Sequence, residues 1–115
     1  MVAITVTRAT SCTGLLPPTV AANIPTQVPG AQSNSKFLDL TAYMQPGWTV
    51  ENVSVANPGA ASGVGPPVAS ISGTVITLSL PDFYGDFASI STTWRFRNAA
   101  GVSPTFAINF LNMVN

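Results

Sequence analysis

Asp82 and Asp86 are the only carboxylates placed closely enough in the sequence to act together. They lie in the run Pro81-Asp82-Phe83-Tyr84-Gly85-Asp86-Phe87. Two acids around a glycine would contribute to a Ca2+ site, but that ion takes about 6–8 oxygen ligands. As ordinary turn residues they need no further partner, because Asp bonds its own backbone in turns. The second reading is favoured by the shortage of oxygens. A glycosidase-like acid pair is weaker still, since no other acid lies in that region. The chain has no histidine, which removes the commonest general base and the commonest metal ligand together. Cys12 is the sole cysteine, so no internal disulfide forms, no imidazole activates the thiol, and a closed zinc site lacks ligands. Arg95 and Arg97 share one strand face. We read them as a solvated face or as partners for an acid on a neighbouring strand, not as a phosphate clamp. Asn52-Val53-Ser54 fits the glycosylation pattern but falls within an expected strand, and it is given no weight. The expectation is a protein without catalytic residues, cofactor or metal.

The elements that hold these residues are strands. Side chains alternate between the two faces of a strand, so an apolar residue at every second position marks a half-buried one. Ile76, Leu78 and Leu80 alternate with Val75, Thr77 and Ser79. Ile90, Thr92, Trp94 and Phe96 alternate with Thr93, Arg95 and Arg97. Asn98-Ala99-Ala100-Gly101 then turns the chain, and Phe106, Ile108 and Phe110 alternate again. Val2, Ile4 and Val6 give a strand at residues 1–7. A further strand at 36–42 has Phe37 on one face and Leu38 and Leu40 on the other, as in a strand buried on both faces or one whose outer face meets a partner. Residues 48–56 change phase between Trp48/Val50 and Val53/Val55, which predicts a bulge near Glu51-Asn52. Ser72-Gly73-Thr74 separates a short strand at 68–71 from Val75–Leu80. Seven or eight short strands at this spacing predict an all-β fold, one antiparallel β-sandwich of immunoglobulin-like type, in a single domain over residues 1–115.

Residues 9–35 stand apart. They carry no charge and contain Pro17-Pro18, Pro25, Pro29 and Gly30, yet Leu15, Leu16, Val20, Ile24 and Val28 are too apolar for an ordinary solvated loop. Two readings stay open. One is an extended arm lying on a neighbouring subunit, with a short strand around residues 19–22. The other is a meandering loop packed on its own sandwich. The loop at 57–67, rich in Gly, Pro, Ala and Ser, is likewise uncharged. Phe83, Tyr84 and Phe87 either offer a carbohydrate or protein contact or plug one end of the sandwich. The candidate interface residues are therefore Leu15, Leu16, Val20, Ile24, Val28, Phe83 and Tyr84.

Composition narrows the partners. Only 7% of residues are charged, against about 25% in an ordinary globular chain, while 46% are apolar and the net charge is zero. Near-zero charge favours association, so we expect a covered surface and a homo-oligomer. Nucleic acid is not expected, because four cations without net excess cannot follow a phosphate backbone. No run approaches the ~20 apolar residues of a membrane span, so no membrane partner is expected. Residues 1–7 have neither the basic start nor the continuous apolar run of an export signal. The expectation is a protein made in the cytoplasm that leaves only inside a larger particle.

Two resemblances follow. Tyr84-Gly85-Asp86-Phe87, then Thr92 to Gly101, then Thr105 to Phe110 resemble the end of an immunoglobulin-like or cadherin-like bacterial repeat, which covers about the last third of the chain. That likeness implies a sandwich, and the acidic calcium positions of cadherin-type repeats are largely missing. In general character, a short and nearly uncharged sandwich with a Met start is similar to the small cement or decoration proteins of tailed-phage particles. This second likeness implies a virion protein that contacts itself and a major capsid or other virion protein. The alternative is a carbohydrate- or receptor-binding module using Phe83, Tyr84 and Phe87.

Overall fold

The computed structural model of the chain describes residues 15–59 and 62–115. Eight strands lie among them: β1 (Gln27–Val28), β2 (Ser35–Asp39), β3 (Thr49–Val55), β4 (Val68–Ser72), β5 (Val75–Ser79), β6 (Phe87–Asn98), β7 (Gly101–Val102) and β8 (Phe106–Met113). A 3-10 turn, Thr41–Tyr43, follows β2, and no α-helix occurs among the described residues. The strand expected at residues 1–7, residues 9–14 of the expected arm, and Cys12 all lie outside the described residues.

The strands form two sheets. One runs β1-β8-β6-β3, with β7 pairing the end of β6; the other runs β2-β5-β4. Their facing sides share one core, in which Trp94, Phe96, Ile108 and Phe110 of the first sheet meet Leu40, Ile76 and Leu78 from the second sheet and its flank. Burial of each such side chain contributes about 1.5–3 kcal/mol. The period-2 pattern of β6 is realised in full, with Ile90, Thr92, Trp94 and Phe96 all buried. Thr92 is accommodated because its hydroxyl donates to Ile108 C=O (2.8 Å) and accepts from Trp94 Nε1 (2.5 Å).

Several local expectations are corrected. The bulge in β3 falls one residue later, between Asn52 and Ser54, so that Val53 is the extra residue and is exposed while Val55 returns to the core. The Nδ2 of Asn52 donates to Ser54 C=O (3.1 Å) and Thr93 C=O (3.1 Å), holding the backbone across the bulge. The sheet is not purely antiparallel, because β1 pairs β8 in parallel (Gln27 with Asn109, Val28 with Phe110). The short strand also sits at Gln27–Val28, not at residues 19–22, where a turn closed by Ile24 N–H on Ala21 C=O (3.1 Å) interrupts extended pairing.

The parallel pairing shows how the described part of residues 9–35 runs. Leu16 lies beside the β6–β7 turn, Val28 beside the middle of β8, and Ser33 bridges to Met113 at its far end. This segment therefore travels along the open side of β8 on its own sandwich, with Pro18 and Val28 buried and Val20 and Ile24 against the core. For residues 15–35 this is the packed loop of the two readings.

Two further devices shape the long strands. Pro104 cannot donate to a ladder, and the buried Ser103 makes good the loss: its N–H donates to Phe96 C=O (2.8 Å), while its hydroxyl accepts from Phe96 N–H (2.9 Å) and donates to Pro104 C=O (2.7 Å). At the end of β8, Asn112 takes φ 55°, a left-handed conformation that Asn tolerates better than most residues, and Met113 rather than Asn112 is buried as a result.

Candidate interaction surface

Leu15 and Leu16 are presented at one end of the sandwich by a turn that the sequence encodes locally. Asn98 Oδ1 accepts from Ala100 N–H (2.8 Å) and Gly101 N–H (3.2 Å), so the side chain folds the β6–β7 connection upon itself. The Nδ2 of the same residue donates to Leu16 C=O (2.7 Å) and anchors the incoming chain. Leu16 is 71% exposed and Leu15 57%. With Thr19, Gln45, Pro46, Trp48 and Ala99 they border an open pocket of about 360 Å3. Trp48 is half-buried, its ring 5.5 Å from that of Phe96. Sequence reasoning did not connect Trp48 or Asn98 to this surface. The signal was the Pro46-Gly47 turn, which sets Trp48 immediately before β3.

Phe83 occupies the other end. β6 separates the two sites by roughly 36 Å, at ~3.3 Å per residue over its length. Phe83 and Tyr84 are neighbours with opposite fates. Tyr84 is buried: its hydroxyl donates to Asn57 Oδ1 (2.7 Å) and its ring lies 5.4 Å from Phe87, so these two plug the end of the core. Phe83 is 82% exposed and holds φ 65°, with its N–H donating to Asn115 Oδ1 (2.8 Å). A bulky residue at positive φ is a strained one. Thus Leu15, Leu16 and Phe83 face outward, Val20 and Ile24 are half-buried, and Val28 and Tyr84 belong to the core. The candidate residues do not gather in one place.

A third apolar feature is the outer face of the smaller sheet. Phe37, 69% exposed, projects from β2, with Thr77 and then Ser70 beside it in register. Val68 is exposed on the same face, with Ser79 and then Ser35 beside it in register. Among the described residues, then, the Phe37 side of residues 36–42 is not buried.

The charges are engaged elsewhere. Glu51 of β3 lies opposite Arg95 and beside Arg97 of β6, and receives hydrogen bonds from both. Arg97 reaches it with Nε at 3.0 Å and Nη2 at 3.1 Å, and Arg95 with Nε. Arg97 first and Arg95 second hold the Glu51 carboxyl down to about 2, and the Arg97 guanidinium is pushed up by the same contact. The two arginines are thus ion-pair partners of an acid on the adjacent strand. Asp39 accepts from Thr41 Oγ1 (2.6 Å), Thr41 N–H (2.9 Å) and Thr74 Oγ1 (3.2 Å), and the Thr41 bonds chiefly lower its pKa. Asp86 accepts from Asn115 N–H (3.4 Å). Among the described residues no three His, Cys, Asp or Glu side chains cluster as metal ligands would.

Among the described residues the surface offers apolar side chains on a nearly uncharged background, an open pocket beside Trp48 and strand edges without a sheet partner. Compared with known proteins, the chain matches no family model, no curated protein and no solved structure.

Proposed function

We propose that this chain is a non-enzymatic structural protein of a virus particle, a phage capsid cement or decoration protein of immunoglobulin-like sandwich type. In this reading it acts as a homo-oligomer that binds a major capsid or other virion protein. Phe83 carries the reading. An aromatic ring that is 82% exposed, on a backbone at φ 65°, contributes nothing to its own core, and strain of this kind concentrates at functional sites. Leu15 and Leu16 repeat the theme at the opposite end. A small particle protein needs such separated contacts, because many symmetric copies, each touching more than one neighbour, gain stability through avidity. The scarcity of charge suits burial, worth roughly 25 cal/mol per Å2 of apolar area before association costs.

The test is made on virions of the phage that encodes the chain. Purified particles are dissociated and the chain is quantified against the major capsid protein. A fixed stoichiometric ratio is expected, and absence from purified particles refutes the reading. On particles stripped of the chain, F83D and L16D should rebind at least tenfold more weakly while keeping the native circular dichroism.

The pocket beside Trp48 supports a second reading, a carbohydrate- or receptor-binding module. Its wall combines an aromatic ring with the amide of Gln45 and the hydroxyl of Thr19, as a sugar site requires. Titration with a glycan panel, followed by the Trp48 indole resonance, decides it: no shift with any glycan removes this alternative.

A further inference from the structure

Among the described residues five strands have a side without a sheet partner, β1, β3 and β7 in the larger sheet and β2 and β4 in the smaller, and an unprotected edge is a template for another strand. Four of the five are blunted. β1 and β7 are each two residues long, and β1 lies between Pro25 and Pro29. β3 bends at its bulge and carries Glu51. β2 turns Lys36 inward, 7% exposed opposite Leu78, and an inward charge opposes further pairing. The Ser33 hydroxyl also covers part of that edge, accepting from Ser35 N–H (3.1 Å) and donating to Ser35 C=O (2.7 Å). β4 has none of these. Val-Ala-Ser-Ile-Ser contains no charge and no proline, and it pairs β5 without a register shift.

The unpaired groups on β4 can be identified. Leu40 N–H bonds Thr74 C=O (2.9 Å) and Leu80 N–H bonds Asn34 C=O (2.8 Å), so the even-numbered residues around β5 bond toward β2. In an antiparallel sheet the odd ones then bond toward β4, where their partners are Val68, Ser70 and Ser72. The N–H and C=O groups of Ala69 and Ile71 consequently point away from the sheet, and they take no other hydrogen bond among the described residues.

We propose that β4 is a strand-pairing surface whose occupant is β4 of a second copy of this chain, antiparallel about a two-fold axis through Ser70. The strand is complementary to itself. Ala69 would face the partner's Ile71 in two hydrogen-bonded pairs, closing all the outward backbone groups of both residues. On the inner face each Ile71, 41% exposed in the single chain, would lie across from the small Ala69 and extend the core. On the outer face Val68 would meet Ser72, and the two Ser70 hydroxyls would meet on the axis, with no like charges opposed. The two smaller sheets become one six-stranded sheet that presents Phe37 and Val68 from both copies on one face. This deepens the assembly reading and rests on it for the choice of a second copy as partner.

The test uses the full chain with Cys12→Ser, so that one introduced thiol reports. Residues on the axis form a non-hydrogen-bonded pair with Cα atoms about 4.5 Å apart, inside the ~4.4–6.8 Å range of disulfides. Under mild oxidation S70C should form a covalent dimer at least tenfold more completely than S72C, which faces the partner's Val68. S70K, which sets two ammonium groups on the axis, should weaken dimerisation at least tenfold by sedimentation equilibrium, with its near-ultraviolet circular dichroism unchanged. Equal cross-linking of S70C and S72C, including none by either, overturns the proposal, as does a dimer that survives S70K. If the chain is stoichiometric in virions but S70C does not cross-link selectively, β4 pairing fails and the assembly reading stands. If S70C cross-links selectively and virions lack the chain, the pairing stands and the virion reading fails.

Discussion

Replacing Thr92 by valine keeps the branched shape of a buried side chain and removes its one oxygen. That oxygen serves twice, accepting from Trp94 Nε1 (2.5 Å) and donating to Ile108 C=O (2.8 Å), and Thr92 and Trp94 are both fully buried. The substitution leaves the indole N–H without a partner in the core, which costs about 1–3 kcal/mol. The methyl that replaces the hydroxyl returns up to about 0.8 kcal/mol of apolar transfer. A net loss of about 1–2 kcal/mol is expected, from a total of about 5–15 kcal/mol for a domain. At roughly 4–8 °C per kcal/mol for a small domain, Tm should fall by about 4–16 °C. Urea unfolding should show a lower midpoint with an unchanged slope, the sign of lost stability rather than an altered denatured state. The decisive comparison is a double-mutant cycle with W94F. In the W94F background the indole donor is already gone, so T92V should cost about 1 kcal/mol less than in the parent. T92V within ~0.3 kcal/mol of the parent, or an equal cost in both backgrounds, would refute this account of how the core tolerates Thr92.

Three further outcomes are expected. Arg97 and Arg95 hold the Glu51 carboxyl down to about 2 when folded, against an ordinary value of 4.5, so its contribution is fully present above pH 4.5 and is lost as pH falls from 4.5 toward 2; E51Q should flatten the Tm profile in that window while keeping the acid dependence that Asp39, also lowered, supplies. Thermal melts between pH 6 and 2.5 read this directly. F83G removes a bulky residue from φ 65°, and should leave the isolated chain at least as stable as the parent by thermal melt while weakening its binding to stripped particles. S103A leaves Phe96 N–H without its side-chain acceptor, so stability should drop by about 1–3 kcal/mol and the Phe96 amide should exchange faster with deuterium.

What the sequence showed, and what it hid, divides along the range of the interactions. The faces of β5, β6 and β8 were legible because alternation is a property of neighbouring residues, and the Asn98 turn because Asn bonds a backbone two residues away. The bulge in β3 was legible as a phase change but lies one residue later than expected, since phase alone does not say which residue is extruded. The path of residues 15–35 was not legible. It is fixed by bonds between distant parts of the chain, Asn98 to Leu16 C=O and Asn112 to Gly30 C=O, and by a parallel pairing of two residues. The candidate contact residues divided for a related reason. Alternation has no meaning in a loop, so only the φ of 65° at Phe83 shows that it turns outward while Tyr84 turns in.

With so few charges, their placement says more than their number. Glu51 pairs with both Arg95 and Arg97 on the outer face of the larger sheet, beside the β3 edge. Lys36 and Asp39 both lie on β2, one turned into the sandwich and the other bonded to threonines. Asp82 and Asp86 lie in the loop between β5 and β6. β4 therefore has no charge of its own, and the face it shares with Phe37 has only Asp39 at its margin. A soluble monomer guards a free edge with charge, because a bare ladder of N–H and C=O groups recruits other strands. Among the described residues two edges carry charge and two more are cut to two residues, while β4 is left bare. General scarcity of charge would leave the edges alike. Their inequality argues that β4 is spared because pairing there is wanted.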